Sequence, residues 1–553
     1  MSPDQHAAPR PPRVRHNDHT SLDVPAVGGY TPRRTVSVVV PAFEDQTRLD
    51  LTLASLAAQS YPEHLLEVVV VDDGSTPPLR LPEIAPARTR LVPADPGGWG
   101  RGHARATGAR VADGEVVHWL DADMVVFREH VEAQLRWHHV ADYLVVLGYK
   151  RFIDHAPGEL TPAKVAAAVA ADAADTLFGV EEGHPHTWVE DIIAETGGLV
   201  RFHPRLYRVH VGATASVPAS LLTAAGGLDA SLLLGEDTDL GYRLAQQGAV
   251  FVPEPGARSW HLGPSTIMRR REEVARHNEP YLSHRLPLRR DWRRWAGRQF
   301  DIPYTDIVVH ADGATFEDVR ATVAGALAGT VPDIRVTVAG PWSALTDGRR
   351  APLDDPDLDL RLIRAAFAAD GRVRFVEDVP ATSAPAPFRL VCPPGLVPGP
   401  EAIQRLVALA DEGGHGAVQV AVDDPGGGLR IARFERTAAL ARAHHVRAAG
   451  EDLDDVVHEL YGVHWIDGAD WAFPAGAGRT APPTATEVDK WRKEAARWKK
   501  RAEQREKEAE RWKQEAARLK RKLQAPLSAK LREAARRRAG EALHRRSPDD
   551  RNA

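Results

Sequence analysis

Three apolar runs in the first quarter of this chain each stop at a polar or turn-forming cluster, and their order leaves few folds open. Thr35-Val36-Ser37-Val38-Val39-Val40 ends at Pro41-Ala42-Phe43. Leu65-Leu66-Glu67-Val68-Val69-Val70-Val71 ends at Asp72-Asp73-Gly74-Ser75, and Val116-Val117-His118-Trp119-Leu120 ends at Asp121-Ala122-Asp123. Between the first two, Leu49, Leu53, Leu56 and Ala57 recur at helical spacing. Strand, helix and strand in that order predict a β-α-β unit with parallel strands in a sheet covered on both faces. Ligands of such sheets sit beyond the carboxyl ends of the strands. The three clusters therefore crowd one rim, and a nucleotide is its natural occupant.

The last cluster carries the most chemistry. A strand that delivers two carboxylates on alternate residues points both to one side. Asp121 and Asp123 are then a pair of hard oxygen ligands, suited to Mn²⁺ or Mg²⁺ that also touches a substrate diphosphate. A solvated turn is the plain alternative for any Asp-x-Asp taken alone.

The order of these clusters, with a fourth element further on, resembles the catalytic domain of glycosyltransferase family 2, of GT-A fold. The fourth element is Gly226-Gly227-Leu228-Asp229 followed by Leu234-Gly235-Glu236-Asp237-Thr238-Asp239-Leu240-Gly241-Tyr242-Arg243-Leu244. It is similar to that family's acceptor-side Glu-Asp motif. The resemblance covers roughly residues 35–265. The chain departs from the family pattern in having Glu44-Asp45 where Asn-Glu is common, and Arg105-Ala106-Thr107-Gly108 where Arg is commonly followed by Asn. A Gly-rich stretch, Pro96 to Gly102, opens the helix that bears Arg105; such loops bring backbone N–H groups near anions, but no Walker Lys-Ser/Thr follows.

The resemblance implies a bacterial, inverting, metal-dependent nucleotide-sugar transferase. It places the donor, a UDP-sugar, on Pro41, Ala42, Phe43, Asp45, Asp72, Asp73, Arg105 and Asp121, with the metal on Asp121, Asp123 and His261. Asp237 is the expected general base, drawing the proton from an acceptor hydroxyl, with Glu236 beside it and Asp239 the first substitute. Bland roles stand next to each: Asp72 and Asp73 as turn caps, His261 as a structural histidine, Glu236 and Asp239 as helix-start acids. The expected acceptor is a hydroxyl of a glycan or of a lipid-linked cell-envelope precursor in polysaccharide biosynthesis. Other classes are a nucleotidyltransferase, which would show an Arg/Lys-bearing triphosphate loop that Pro41 to Asp50 lacks, and a non-catalytic sugar-nucleotide-binding scaffold.

At 553 residues the chain has room for several domains. A formal net charge of −5 gives no pull toward nucleic acid, and the single Cys392 excludes an intrachain disulfide framework. No apolar run is long enough for a signal core or a membrane span. These features point to the cytoplasm, with peripheral contact at the inner face of the membrane as an alternative setting.

Six segments are expected: a disordered N-terminal segment over 1–34, the GT-A domain over 35–300, a second α/β domain over 305–475, a linker over 476–487, a coiled-coil helix over 488–525 and a basic tail over 526–553. The second domain echoes the first. Thr322-Val323-Ala324-Gly325-Ala326-Leu327-Ala328 lies 270 residues after Thr52-Leu53-Ala54-Ser55-Leu56-Ala57-Ala58, and Pro332 after Pro62. At the metal position this copy offers Val391, Cys392, Pro393 or Pro394, none a hard ligand, so a degenerate GT-A-like domain is expected; an unrelated α/β unit is the alternative. In the tail, Ala495, Ala502, Ala509, Ala516 and Leu523 recur every seven residues, as do Trp491, Trp498, Arg505, Trp512 and Leu519. That pattern predicts self-association through a coiled coil; an amphipathic helix on anionic lipid and a solvated single helix are the other readings.

Overall fold

The computed structural model describes residues 11–471 apart from 156, 157, 159, 179–182, 295–298, 349–350 and 425–427, together with 473 and a few isolated positions between 493 and 511. The linker, the coiled coil and the basic tail lie outside the described residues except at those few positions. Among the described residues no helix is long and apolar enough to cross a membrane.

Nine strands form the first sheet: β1 (Val36–Ala42), β2 (Leu66–Asp72), β3 (Thr89–Pro93), β4 (Val116–Trp119), β5 (Met124–Val126), β6 (Leu144–Ile153), β7 (His184–Pro185), β8 (Ala215–Pro218) and β9 (Val250–Leu262). Their order is β3-β2-β1-β4-β8-β6-β9-β5, with β7 on β6. The first four run parallel, β8 runs against both β4 and β6, and β9 is parallel to β6. Val36 to Val40 and Leu66 to Val71 are buried without alternation, as a parallel sheet covered on both faces requires. The helix Arg101–Val111 packs so close that a Cβ on Gly108 would stand 2.4 Å from Val39 Cγ1. Only glycine lets this helix, which carries Arg101 and Arg105, lie flat on β1.

The second sheet holds β10 (Thr305–His310), β11 (Ile334–Ala339), β12 (Val373–Val376), β13 (Phe388–Val391), β14 (Ala417–Asp424), β15 (Gly428–Arg436) and β16 (Val463–Asp467). Its order, β12-β11-β10-β13-β15-β14-β16, repeats the first sheet as far as β9. The helix caps repeat as well. Asp45 accepts from Arg48 N at the start of Gln46–Leu56, and Thr315, 270 residues on, accepts from Asp318 N at the start of Phe316–Leu327.

Register then fixes what replaced the acids. Leu120 N donates to Val39 O at 3.1 Å, and Cys392 N to Val308 O at 2.9 Å. The positions of Asp121 and Asp123 therefore fall within Cys392-Pro393-Pro394-Gly395, a segment with no carboxylate. Thr52 Oγ1 donates to Ala122 O (2.8 Å) and accepts from Met124 N (3.1 Å); Thr322 Oγ1 accepts from Gly395 N (2.8 Å). Where the first sheet opens beyond Asp72, the second has the buried Trp342 folded back with its indole N–H on Val338 O.

The N-terminal segment corrects the expectation of disorder over 1–34: residues 11–34 are ordered. Their Pro- and Arg-rich composition has no periodic face, so nothing local predicts structure. They are held by partners distant in sequence. Asn17 exchanges hydrogen bonds of 2.8 Å with the Phe251 backbone and donates to Leu199 O, Tyr30 Oη donates to Glu132 O, and Arg13 pairs with Glu451 and Glu459 of the second domain. Val14 lies in one apolar cluster with Trp137, Tyr143 and Val250 of the first domain and Leu440, Val457 and Leu460 of the second. At this junction Arg442 is 2% exposed and donates to Gly248 O, Ala249 O, Val14 O and His16 O.

One side chain thus joins both domains and the N-terminal strap. Arg442→Met is expected to cost at least about 3 kcal/mol, because each buried carbonyl left unpaired costs ~1–3 kcal/mol. Urea unfolding followed by tryptophan emission measures it. An unchanged midpoint would show that the apolar cluster alone holds the junction.

Candidate active site

The strand ends expected to meet do so. Asp121 and Asp123 follow β4, and His261 arrives on β9, which pairs with β5 so that His261 stands opposite Met124. Ligand atoms of Asp121, Asp123 and His261 all lie within 4.8 Å of one another. His261 Nε2 is 3.6 Å from Asp123 Oδ1. Burial holds the imidazole near a pKa of about 4, so it is neutral and free to ligate. Burial and the neighbouring Asp121 charge push Asp123 up to about 7. Two crowded carboxylates and a neutral histidine, short of one positive charge, fit a divalent cation.

Asp237 enters from the opposite side, on the helix Glu236–Gln246. The preceding Gly235 has φ 82°, and a Cβ there would meet Leu282 Cδ1 at 2.6 Å, so this sharp entry into the helix needs glycine. Arg105 ties the two sides together. Its guanidinium, 0% exposed, donates to Asp121 Oδ1 (2.5 Å), Asp237 Oδ1 (2.7 Å) and Gly212 O (2.6 Å). Arg105 was expected on the donor; its two terminal nitrogens are instead taken by these protein partners, and its Nε has none among the described residues. Burial would raise Asp237, but Arg105 and Arg101 outweigh it and hold the carboxyl at about 2. Arg101, one turn earlier and half-exposed, donates to Glu236 at 3.0 Å and stands 3.8 Å from both Asp121 and Asp237. Glu236 is buried, which raises its pKa, and its Oε2 has no hydrogen-bond partner among the described residues.

Asp239 is fully buried and paired with Arg243 at 2.9 Å and Arg285 at 3.6 Å. Asp237, by contrast, shares the Arg105 guanidinium with Asp121 of the triad. Asp72 spends both oxygens on its own loop, accepting from Ser75 N (2.9 Å) and Leu79 N (3.0 Å), while Asp73 accepts from Gly100 N (2.8 Å) and so anchors the Gly-rich stretch. Asp45 caps the helix after β1. Pro41 and Ala42 end β1, and the Phe43 ring, 43% exposed, meets Trp99 edge-on at 6.0 Å. Arg101, Trp99 and Lys150 were not singled out from sequence. The i, i+4 spacing of Arg101 and Arg105 was the available signal for the first; a single lysine within the apolar run of β6 was the signal for the last.

Residues 37–185 match the family described as Glycosyl transferase family 2. Validoxylamine A glucosyltransferase of Streptomyces hygroscopicus subsp. limoneus is 28% identical over 259 residues, 43% of this chain and 53% of that protein. Chondroitin synthase of Escherichia coli is 24% identical over 360 residues, 62% of this chain and 50% of that protein. The chain spans about half the length of these relatives. Among solved structures, the mannosyltransferase PcManGT from Pyrobaculum calidifontis in complex with GDP-Man and Mn²⁺ gives a TM-score of 0.30 at 19% identity, over 48% of this chain and 65% of that one.

Asp123→Asn should remove any rise in unfolding temperature caused by Mn²⁺ with UDP, while leaving the metal-free protein as stable or slightly more so, since a like-charge contact with Asp121 is relieved. A retained Mn²⁺ response in thermal unfolding would place the ion elsewhere.

Proposed function

We propose that the first domain, a family 2 glycosyltransferase domain of GT-A fold, transfers a sugar from a nucleoside-diphosphate donor to an acceptor hydroxyl with inversion at the anomeric carbon. The observation that carries this reading is the juxtaposition of the Asp121-Asp123-His261 triad with Asp237, two sites bridged by one buried guanidinium. The triad would hold Mn²⁺ or Mg²⁺, which when bound supplies positive charge to the diphosphate.

The residues then divide by charge. Arg101, half-exposed beside the triad, faces the side where negative charge grows as the glycosidic bond breaks. Asp237 takes the acceptor proton. A carboxylate held near 2 is a weak base toward a free alcohol, but the attacking hydroxyl becomes strongly acidic once it shares the anomeric carbon's positive charge. Proton transfer is therefore late. One base on the far side of the sugar from the leaving group gives inversion, so an α-linked donor yields a β-linked product. Phe43 and Trp99 offer exposed rings for the base of the nucleotide, and UDP is the donor nucleotide we favour. The acceptor we propose is a glycan or lipid-linked hydroxyl of the cell envelope. A scaffold role fits residues 305–475, whose metal position falls in the carboxylate-free segment Cys392 to Gly395.

A thermal-unfolding screen of UDP-, GDP- and dTDP-sugars with Mn²⁺ should single out one nucleotide, with about 2.7 kcal/mol of stabilisation at ~100 times the dissociation constant. With that donor, Asp237→Asn should keep donor affinity and lower kcat by a factor on the order of 10²–10⁴. Unchanged turnover would move the base to Glu236, and no response to any sugar nucleotide would refute the reading.

A further inference from the structure

Lys150 is the charged side chain near the site that the mechanism leaves unused. It lies on β6, two residues past Gly148, where the pairing of β6 with β9 shifts register: Gly148 opposes Glu254 but Tyr149 opposes Arg258. Such a break re-aims the residues that follow it. Lys150 and Phe152 then share a face, with the ammonium 5.9 Å from the Phe152 ring and that ring 4.7 Å from His261. Lys150 therefore belongs to the wall that carries the metal-side histidine.

Its surroundings are unusual for a lysine. Only 7% of the residue is exposed, and among the described residues its amine makes no hydrogen bond and no ion pair within 4.0 Å. Burial lowers the ammonium to about 8, against the pull of Asp121 and Asp237, so it stays largely charged at neutral pH. Those two carboxylates do not need it, because Arg105 already meets them at 2.5 and 2.7 Å. A buried ammonium without a partner is costly, and the cost is recovered when a partner arrives. The amine borders a cavity lined by Tyr149, His186, Glu190 and Thr214, under the helix Thr187–Glu195. The diphosphate would be at the triad; this cavity is lined also by Val211 and Thr214, which flank Gly212, the residue whose carbonyl shares the Arg105 guanidinium with Asp237.

We propose that Lys150 recognises an anionic group, a carboxylate or a phosphate, carried by the acceptor close to the hydroxyl that is attacked. This rests on the transferase reading above. The acceptor then belongs to the acidic sugars or sugar phosphates, and Lys150 is a specificity-determining residue that sets the acceptor's orientation before Asp237 takes the proton.

The test uses the full chain with Mn²⁺ and the sugar nucleotide selected by the screen, and two acceptors matched except for charge, p-nitrophenyl glucuronide and p-nitrophenyl glucoside. The wild type should prefer the glucuronide by more than tenfold in kcat/KM. Lys150→Met should bring that ratio to about one through acceptor KM, with UDP affinity unchanged and unfolding temperature equal or higher, and Lys150→Arg should keep most of the preference. A wild-type ratio near one, an equal loss on both acceptors, or a loss of UDP affinity in Lys150→Met would overturn the assignment, the last by moving Lys150 to the donor. Hydrolysis of the donor without acceptor reports on the transferase reading separately. Hydrolysis with no preference for the acidic acceptor sinks this inference alone, whereas neither hydrolysis nor transfer sinks both.

Discussion

A guanidinium with no exposed surface stands between carboxylates that lie 116 positions apart, and the geometry of the first domain's rim follows from it. Removing Arg105, Asp121 and Asp237 from water is expensive, and it is tolerated because the charges meet at hydrogen-bond distance and the Gly212 carbonyl takes a further N–H. Breaking one partner of such a group typically costs about 3–5 kcal/mol, so the three segments are held in a fixed relation. Rigid placement is what the proposed transfer needs, since its metal side and base side would have to flank one anomeric carbon with little tolerance. The same pairing depresses Asp237 and keeps Asp121 charged, so structure and reactivity here have one electrostatic source.

Much of this was legible in the sequence because it is local. The apolar runs and the acids that end them report strands and a rim directly, and the Glu-Asp segment reports a helix start. Bringing Asp121, Asp123, His261 and Asp237 together needed only that the strands share one edge. What could not be read depends on facing and on distant partners. Whether Arg105 points into the protein or onto a ligand is decided by how closely Gly108 lets its helix approach β1. The direction of Lys150 is set by a register break whose marks, Gly148 and Pro255-Gly256, show where the strands slip but not which way the following side chains turn. The strap over residues 11–34 reads as unstructured because its order is borrowed from Phe251, Glu132 and Glu459.

The second sheet shows which parts of the first are scaffold. Strand order, the helix cap at Thr315 and the Thr322 hydroxyl beneath the strand end are kept. The charged rim is gone, replaced by the uncharged segment Cys392 to Gly395 and the inward Trp342. A threonine that ties a loop to a helix serves any occupant of that loop, whereas unpaired acids at a strand end are a liability once no cation neutralises them. Relaxed selection for a site would therefore erase the acids first and the architecture last.

The junction at Arg442 also has a consequence for the order of events during synthesis. Val14 and His16 are made before either domain they join, and the side chain that accepts them into the structure is made more than 420 positions later. At roughly 5–20 residues per second, the strap waits on the order of 20–90 s for that partner. During this interval Trp137, Tyr143 and Val250 lack the apolar partners that the second domain supplies. The first domain must therefore carry this face bare until Leu440, Val457 and Leu460 are made.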